Sequence, residues 1–187
     1  MFCKLNSPCI KLTLDSENIK KEIKIVLGDN KLTYESLQKM EYTRNVVMEV
    51  FRLHTPGMMI RMVMEPIKIK EFTIPVGYNI AVNPLAIHFD KTIWGNDARE
   101  FNPDRWNDIK PTKYEFLSFG KNTNECPGKR FAILSTMVFL ISFFDQFEIE
   151  FKEKNFSEPD PTRLIGIPHP KLRNELFTYK KIKNFNH

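Results

Sequence analysis

The chain has 187 residues, 42% of them hydrophobic, and a formal net charge of +5. That is enough apolar material for one sizeable core, and the lysines are spread without a long basic tract, which weighs against nucleic acid as a partner. Three cysteines (Cys3, Cys9 and Cys126), none in a Cys-x-x-Cys pair, rule against a disulfide framework or a zinc site.

Residues 1–15 show no clean period and stay unassigned; Lys4 and Lys11 interrupt any apolar stretch, so no secretory leader is read there. Ser16 then reads as an N-cap, with Ile19, Ile23, Val26 and Leu27 at helical spacing until Gly28 stops the helix. Thr33 caps a second short helix, over 33–40. A third, over 42–53, carries Val46, Val47, Val50 and Leu53 as its apolar stripe. On this helix Glu49 and Arg52 share a face. Taken alone, such a pair is a solvated ion pair worth under ~1 kcal/mol.

After Pro56 the period changes. Short β-branched and aromatic runs at 60–64, 67–69, 72–75 and 78–82, broken by Pro66, Pro75, Gly77 and Pro84, predict a small antiparallel meander with Arg61 in its first strand. Ala86-Ile-His-Phe-Asp90, Trp94-Gly and Phe101-x-Pro-x-Arg105-Trp106 follow. The polar run from Phe119-Gly120 to Cys126-x-Gly128 leads into nearly unbroken apolar sequence over 131–144. That run is 14 residues long and contains Ser135, Thr136 and Ser142. It falls short of the ~20 residues a membrane-spanning helix needs, so it predicts a buried core helix ending near Gln146. Alternation over 147–151 predicts a half-buried strand, 158–161 a turn, 164–167 a further apolar run, and 176–179 the final strand, paired in the same sheet; the tail from Lys180 is basic. The fold class is α+β, mainly α, with 16–187 as one partial domain.

Cys126 carries the chemistry. Free backbone N–H groups and the positive end of a following helix stabilise a thiolate. Pro127 suits the first helical position, and Gly120 and Gly128 remove Cβ atoms on either side of the sulfur. A soft thiolate offered to something flat, backed by a long apolar helix, reads as a proximal haem ligand. The alternative is an ordinary buried thiol.

Three motifs occur in order: Glu49-x-x-Arg52, Phe101-x-Pro-x-Arg105-Trp106, and Phe119-Gly120 to Cys126-x-Gly128 with Ala132. Together they resemble the cytochrome P450 superfamily, over roughly residues 16–180, and the chain is expected to be the C-terminal part of that fold. The resemblance implies a haem-thiolate monooxygenase, inserting one oxygen atom from dioxygen into an apolar substrate. It implies Cys126 as the iron ligand, Phe119, Gly120, Asn124 and Gly128 in the haem-binding loop, and Glu49, Arg52 and Arg105 as a structural cluster bracing that loop. An arginine at the position of Arg61 commonly reaches a haem propionate in the family; an exposed strand arginine is the equal alternative. Two positions depart from the pattern: Asn122 replaces a usual glycine, and Asn124 replaces the usual propionate-binding arginine or histidine, so it can hydrogen-bond but not neutralise.

The resemblance further implies an electron-donating reductase, an NADPH-dependent flavoprotein, as partner. Lys121, Lys129 and Arg130 offer it a basic patch, or else a solvated rim. The Cys-Pro-Gly centre resembles the branch of cholesterol 7α-hydroxylase and prostacyclin synthase, with a sterol demethylase as competitor; either suggests a sterol or other lipid substrate. The complete family member is expected at the endoplasmic reticulum surface, and this chain, with no anchor read in it, in the cytoplasm. The family's upstream oxygen-activating helix is not found in the sequence, so a truncated, inactive haem-binding or unstable fragment stands as the second reading.

Overall fold

The computed structural model describes residues 16–55, 58–112, 114–151 and 177–182. The unassigned stretch 1–15, the turn at 158–161 and the run at 164–167 lie outside them. Three helices form the main core. Helix α1 (Ser16–Val26) buries Ile19 and Ile23, α3 (Glu41–Leu53) buries Val46, Val47 and Leu53, and the long helix α7 (Lys129–Gln146) packs against both through Met137, Leu140, Ile141 and Phe144. Between α1 and α3 sits the short α2 (Tyr34–Gln38), which Thr33 caps in a reciprocal capping box with Ser36. Helix α1 stops at Gly28, whose φ of +55° glycine adopts without Cβ strain.

Helix α3 has no cap of its own, since its N-cap is Met40. Glu22 of α1 supplies one. Its carboxylate accepts from the Tyr42 and Thr43 backbone N–H groups at 2.7 and 2.8 Å and from the Thr43 hydroxyl at 2.6 Å. A carboxylate at a helix N-terminus satisfies orphan donors and meets the positive end of the macrodipole, so this bond fixes α1 and α3 together.

The sheet region differs from the expected meander. Strand β1 (Met59–Met62) pairs antiparallel with β4 (Asn79–Val82), Arg61 opposite Ile80, while β2 (Ile67–Ile69) pairs with β3 (Phe72–Ile74). One hairpin is therefore nested inside the arms of the other. The inner hairpin closes locally through Lys70 at φ +52°, leaving β1 and β4 to find each other across it. Short helices α4 (Pro84–His88), α5 (Lys91–Trp94) and α6 (Arg105–Asp108) follow; Asn83 and Asp90 cap the first two. Strands β5 (Phe147–Phe151) and β6 (Phe177–Lys181) pair antiparallel as expected, Ile149 opposite Tyr179.

Two expectations for α7 are corrected. The helix begins at Lys129 after Gly128, two residues beyond Pro127, because 127–128 form a turn. Nor is it buried all round. Phe131 and Phe139 are 77% and 63% exposed, since α1 and α3 cover the opposite side. Among the described residues no helix is long and apolar enough to cross a membrane.

Candidate functional site

The site is built on a buried ion cluster. Glu49 and Arg52, one turn apart on α3, point into the space between α3 and the α4–α6 segment, and both are fully buried. Arg52 grips the Glu49 carboxylate with Nε and Nη2 at 2.8 and 2.7 Å. Arg105, from α6, gives Glu49 its Nε at 3.0 Å. Backbone carbonyls take the remaining donors of Arg52 and some of those of Arg105. Arg52 donates to His88 at 2.6 Å, Ala98 at 2.5 Å and Glu100 at 3.1 Å, and Arg105 donates to Trp94 at 2.6 Å and Asp97 at 3.0 Å. A solvated surface pair is thereby excluded.

Arg105 meets Glu49 through Nε alone. Its paired contact is with Asp97, whose carboxylate accepts Nη2 at 2.9 Å and Nη1 at 3.3 Å. Burial opposes ionisation of Asp97, but the Asn102 side-chain bond and the Arg105 charge outweigh it and hold the carboxyl below its ordinary value. Two cations thus meet two anions. Glu49 also accepts from Trp106 Nε1 and the Asn102 backbone N–H, each at 3.0 Å, so five donors converge on one carboxylate.

From this cluster the chain runs to the cysteine loop. Phe51, on the next turn of α3, meets Phe119 edge-on at 4.9 Å, and its carbonyl accepts the Ser118 hydroxyl at 2.7 Å. The loop closes on itself: Cys126 N–H donates to the Phe119 carbonyl at 2.7 Å, across a 3₁₀ turn at Asn122–Asn124. Gly120 has φ +69°, and a Cβ there would stand 2.5 Å from the Asn124 carbonyl oxygen, so only glycine fits. Asn122 has φ +56°, which explains why a residue tolerant of the left-handed region stands where glycine is usual. Gly128 is different: a Cβ would lie 3.8 Å from the Cys126 sulfur, an ordinary contact.

Cys126 is a free, exposed thiol on the wall of a cavity of about 310 Å³. Phe51, Met59, Pro84, Leu117 and Phe119 make most of that wall apolar. Arg61 and Asn124 add a guanidinium and an amide. The structure therefore brings Arg61, Phe119, Gly120, Asn124 and Cys126 together around one space. On the other side of the loop the basic residues divide. Lys129 pairs with Glu125 at 2.7 Å, and Arg130 reaches the Tyr34 hydroxyl. Lys129 and Arg130 join Arg44 at the edge of a second cavity of about 420 Å³, floored by Leu37, Ile133 and Met137.

The cytochrome P450 family model matches residues 16–176. The chain belongs to the cytochrome P450 family. It is 32% identical over 136 residues to 11-oxo-beta-amyrin 30-oxidase of Glycyrrhiza uralensis, covering 70% of this chain and 26% of that protein. It is likewise 32% identical over 135 residues to cytokinin hydroxylase of Arabidopsis thaliana, covering 70% and 26%. The solved structure of retinoic acid bound cyanobacterial CYP120A1 superposes with a TM-score of 0.78 at 26% identity, over 96% of this chain and 42% of that one. The chain thus spans about a quarter of the length of the curated relatives it matches.

Cytochrome P450 membership implies a haem cofactor held by a thiolate, and the cavity fits one. Among its lining residues it offers one thiol, a soft donor suited to iron, beside flat aromatic and aliphatic walls and two groups able to hydrogen-bond carboxylates. Sequence reasoning named Arg61, Phe119, Gly120, Asn124 and Cys126, but not Phe51, Met59, Pro84 or Leu117 of the same wall, and it gave no role to three residues that hold the site. Asp97 completes the charge balance, Trp106 bonds Glu49 from within its own motif, and His88 lies fully buried between cluster and loop. For His88 the signal was its place in an apolar run, Ala86-Ile-His-Phe, where a histidine must find partners.

Proposed function

We propose that this chain provides the cysteine-bearing side of a haem-thiolate monooxygenase pocket, with Cys126 as the axial ligand. The observation that carries it is the free Cys126 thiol exposed on an apolar cavity and joined, through its loop, to a fully satisfied ion cluster. Cys126 gives the sulfur, Phe119 and Gly120 set the loop's depth, and Gly128, whose backbone any residue could adopt, leads into α7. Arg61 and Asn124 serve the propionates; Arg61 supplies the charge that an asparagine in place of the usual arginine lacks. Glu49, Arg52 and Arg105 brace the loop and touch no reactant. When bound, thiolate-ligated haem supplies dioxygen activation, the thiolate pushing electron density that favours O–O cleavage.

The substrate is apolar, a sterol or other lipid. A relative named for 11-oxo-beta-amyrin oxidation and a structural neighbour holding retinoic acid support this. The partner is an acidic electron donor of the flavoprotein reductase type. It meets the basic residues flanking Cys126 in sequence, Lys121, Lys129 and Arg130, the last two edging the second cavity beside Arg44, where opposite charge steers association.

The test is the ferrous carbon-monoxide difference spectrum of the haem-loaded chain. The red-shifted Soret band of a thiolate ligand is expected, and Cys126→Ser removes it. An unaltered band in that variant overturns the assignment. A wild-type chain that takes up no haem favours instead the inactive or unstable fragment.

A further inference from the structure

His88 is fully buried, and its carbonyl and both ring nitrogens are engaged across elements. Its carbonyl accepts Arg52 Nη1 at 2.6 Å. Its ring Nδ1 lies 2.8 Å from the Arg52 carbonyl oxygen, and its Nε2 lies 3.0 Å from the Leu117 backbone nitrogen. A backbone N–H can only donate, so Nε2 must be the acceptor and Nδ1 must carry the proton, which it gives to Arg52. Burial pushes the imidazole down to about 4, helped by the Arg52 charge, so this neutral tautomer persists at physiological pH. The ring is stacked on Phe116 at 5.4 Å, which fixes its plane. Leu117 opens the segment that walls the cavity: its carbonyl accepts Gly120 N–H at 3.1 Å, and Phe119 then accepts Cys126 N–H at 2.7 Å.

We propose that His88 is a positioning residue, coupling the buried Glu49–Arg52–Arg105 cluster to the cysteine loop through the Leu117 amide and so fixing where the Cys126 sulfur stands. It acts through Leu117 and touches no reacting atom. The spectroscopic consequence rests on the haem-thiolate assignment of Cys126; the coupling itself does not.

Two near-isosteres separate the two ring bonds. A glutamine amide oxygen can take the place of Nε2 and accept from Leu117, whereas an asparagine amide can replace only Nδ1–H and donate to Arg52. Hydrogen exchange of the full chain is read segment by segment, beside the carbon-monoxide spectrum of the haem-loaded form. His88→Asn is expected to accelerate exchange over residues 117–126 while leaving α3 protected, and to lower haem retention about 10-fold, the range for supporting groups of metal ligands. His88→Gln is expected to restore both. If the two variants match each other in exchange over 117–126, or if His88→Asn leaves that segment as protected as the wild type, the coupling is wrong. Exchange that follows this pattern in a chain without the red-shifted band keeps the coupling and overturns the ligand assignment instead.

Discussion

The Glu49 cluster and the Cys126 loop lie on opposite ends of one short path, and they are built by opposite rules. At Glu49 five donors meet one carboxylate, the two guanidiniums spend their remaining N–H groups on carbonyls and on Asp97, and Glu49 and Arg52 are shut off from solvent. At Cys126 the side chain is exposed, and the loop is held mainly by backbone bonds and one glycine of positive φ. The difference separates two tasks. A buried, fully satisfied ionic network costs desolvation but specifies a single arrangement, because any slip strands a charge. A ligand presented to a bulky group must stay accessible, so its precision has to be imported from such a network.

The comparison breaks first at Glu49. Glu49→Gln leaves two buried guanidiniums facing one remaining carboxylate, and the expected loss is about 3–5 kcal/mol in urea unfolding. A loss below ~1 kcal/mol would mean that the cluster does not hold the fold. Acid comes next. His88 titrates at about 4 in the fold against an ordinary 6.5, so the unfolded chain binds more protons between those values. Stability is therefore full above pH 6.5 and falls as pH drops through 4, by roughly 3 kcal/mol at most for this group. Unfolding midpoints measured across that window should flatten in His88→Gln; an unchanged slope removes His88 as the cause.

Gly120→Ala tests the loop. It forces a side chain into a positive φ and against the Asn124 carbonyl, and about 1–3 kcal/mol is expected, seen as a lowered thermal midpoint together with haem loss. Cys126→Ser sharpens the contrast, since an exposed thiol contributes little packing. Stability should stay within ~0.5 kcal/mol while the thiolate band disappears. The smallest effect belongs to Lys129→Ala, where an exposed pair with Glu125 is lost. No resolvable change in the unfolding midpoint is expected at ordinary salt, because solvent screens an exposed pair.

Much of this was legible in one dimension. Helical spacing gave α1 and α3 to within a residue or two, and Thr33 announced the cap of α2. The three motifs named the cluster and the loop because each needs fixed residue types at fixed local separations. What was not legible depends on neighbours distant in sequence. Glu22 caps a helix some 20 residues away, a bond no local pattern encodes. The apolar run of α7 suggested burial on every side, but composition cannot say how many elements arrive to cover it, and Phe131 and Phe139 stand exposed. Nested rather than sequential pairing of β1 to β4 was likewise open, since alternation fixes which face a residue takes and not which strand it meets.

By itself, then, the order of residues determined where α1 and α3 run and that a glycine-bearing turn with one cysteine precedes α7, because those follow from backbone sterics and short-range hydrogen bonding. Only the folded arrangement decided that Arg105 grips Asp97 as well as Glu49, and that a buried imidazole links cluster to loop. Charges and donors far apart along the chain acquire their strength only once packing excludes water around them, and that exclusion is a property of the assembled core.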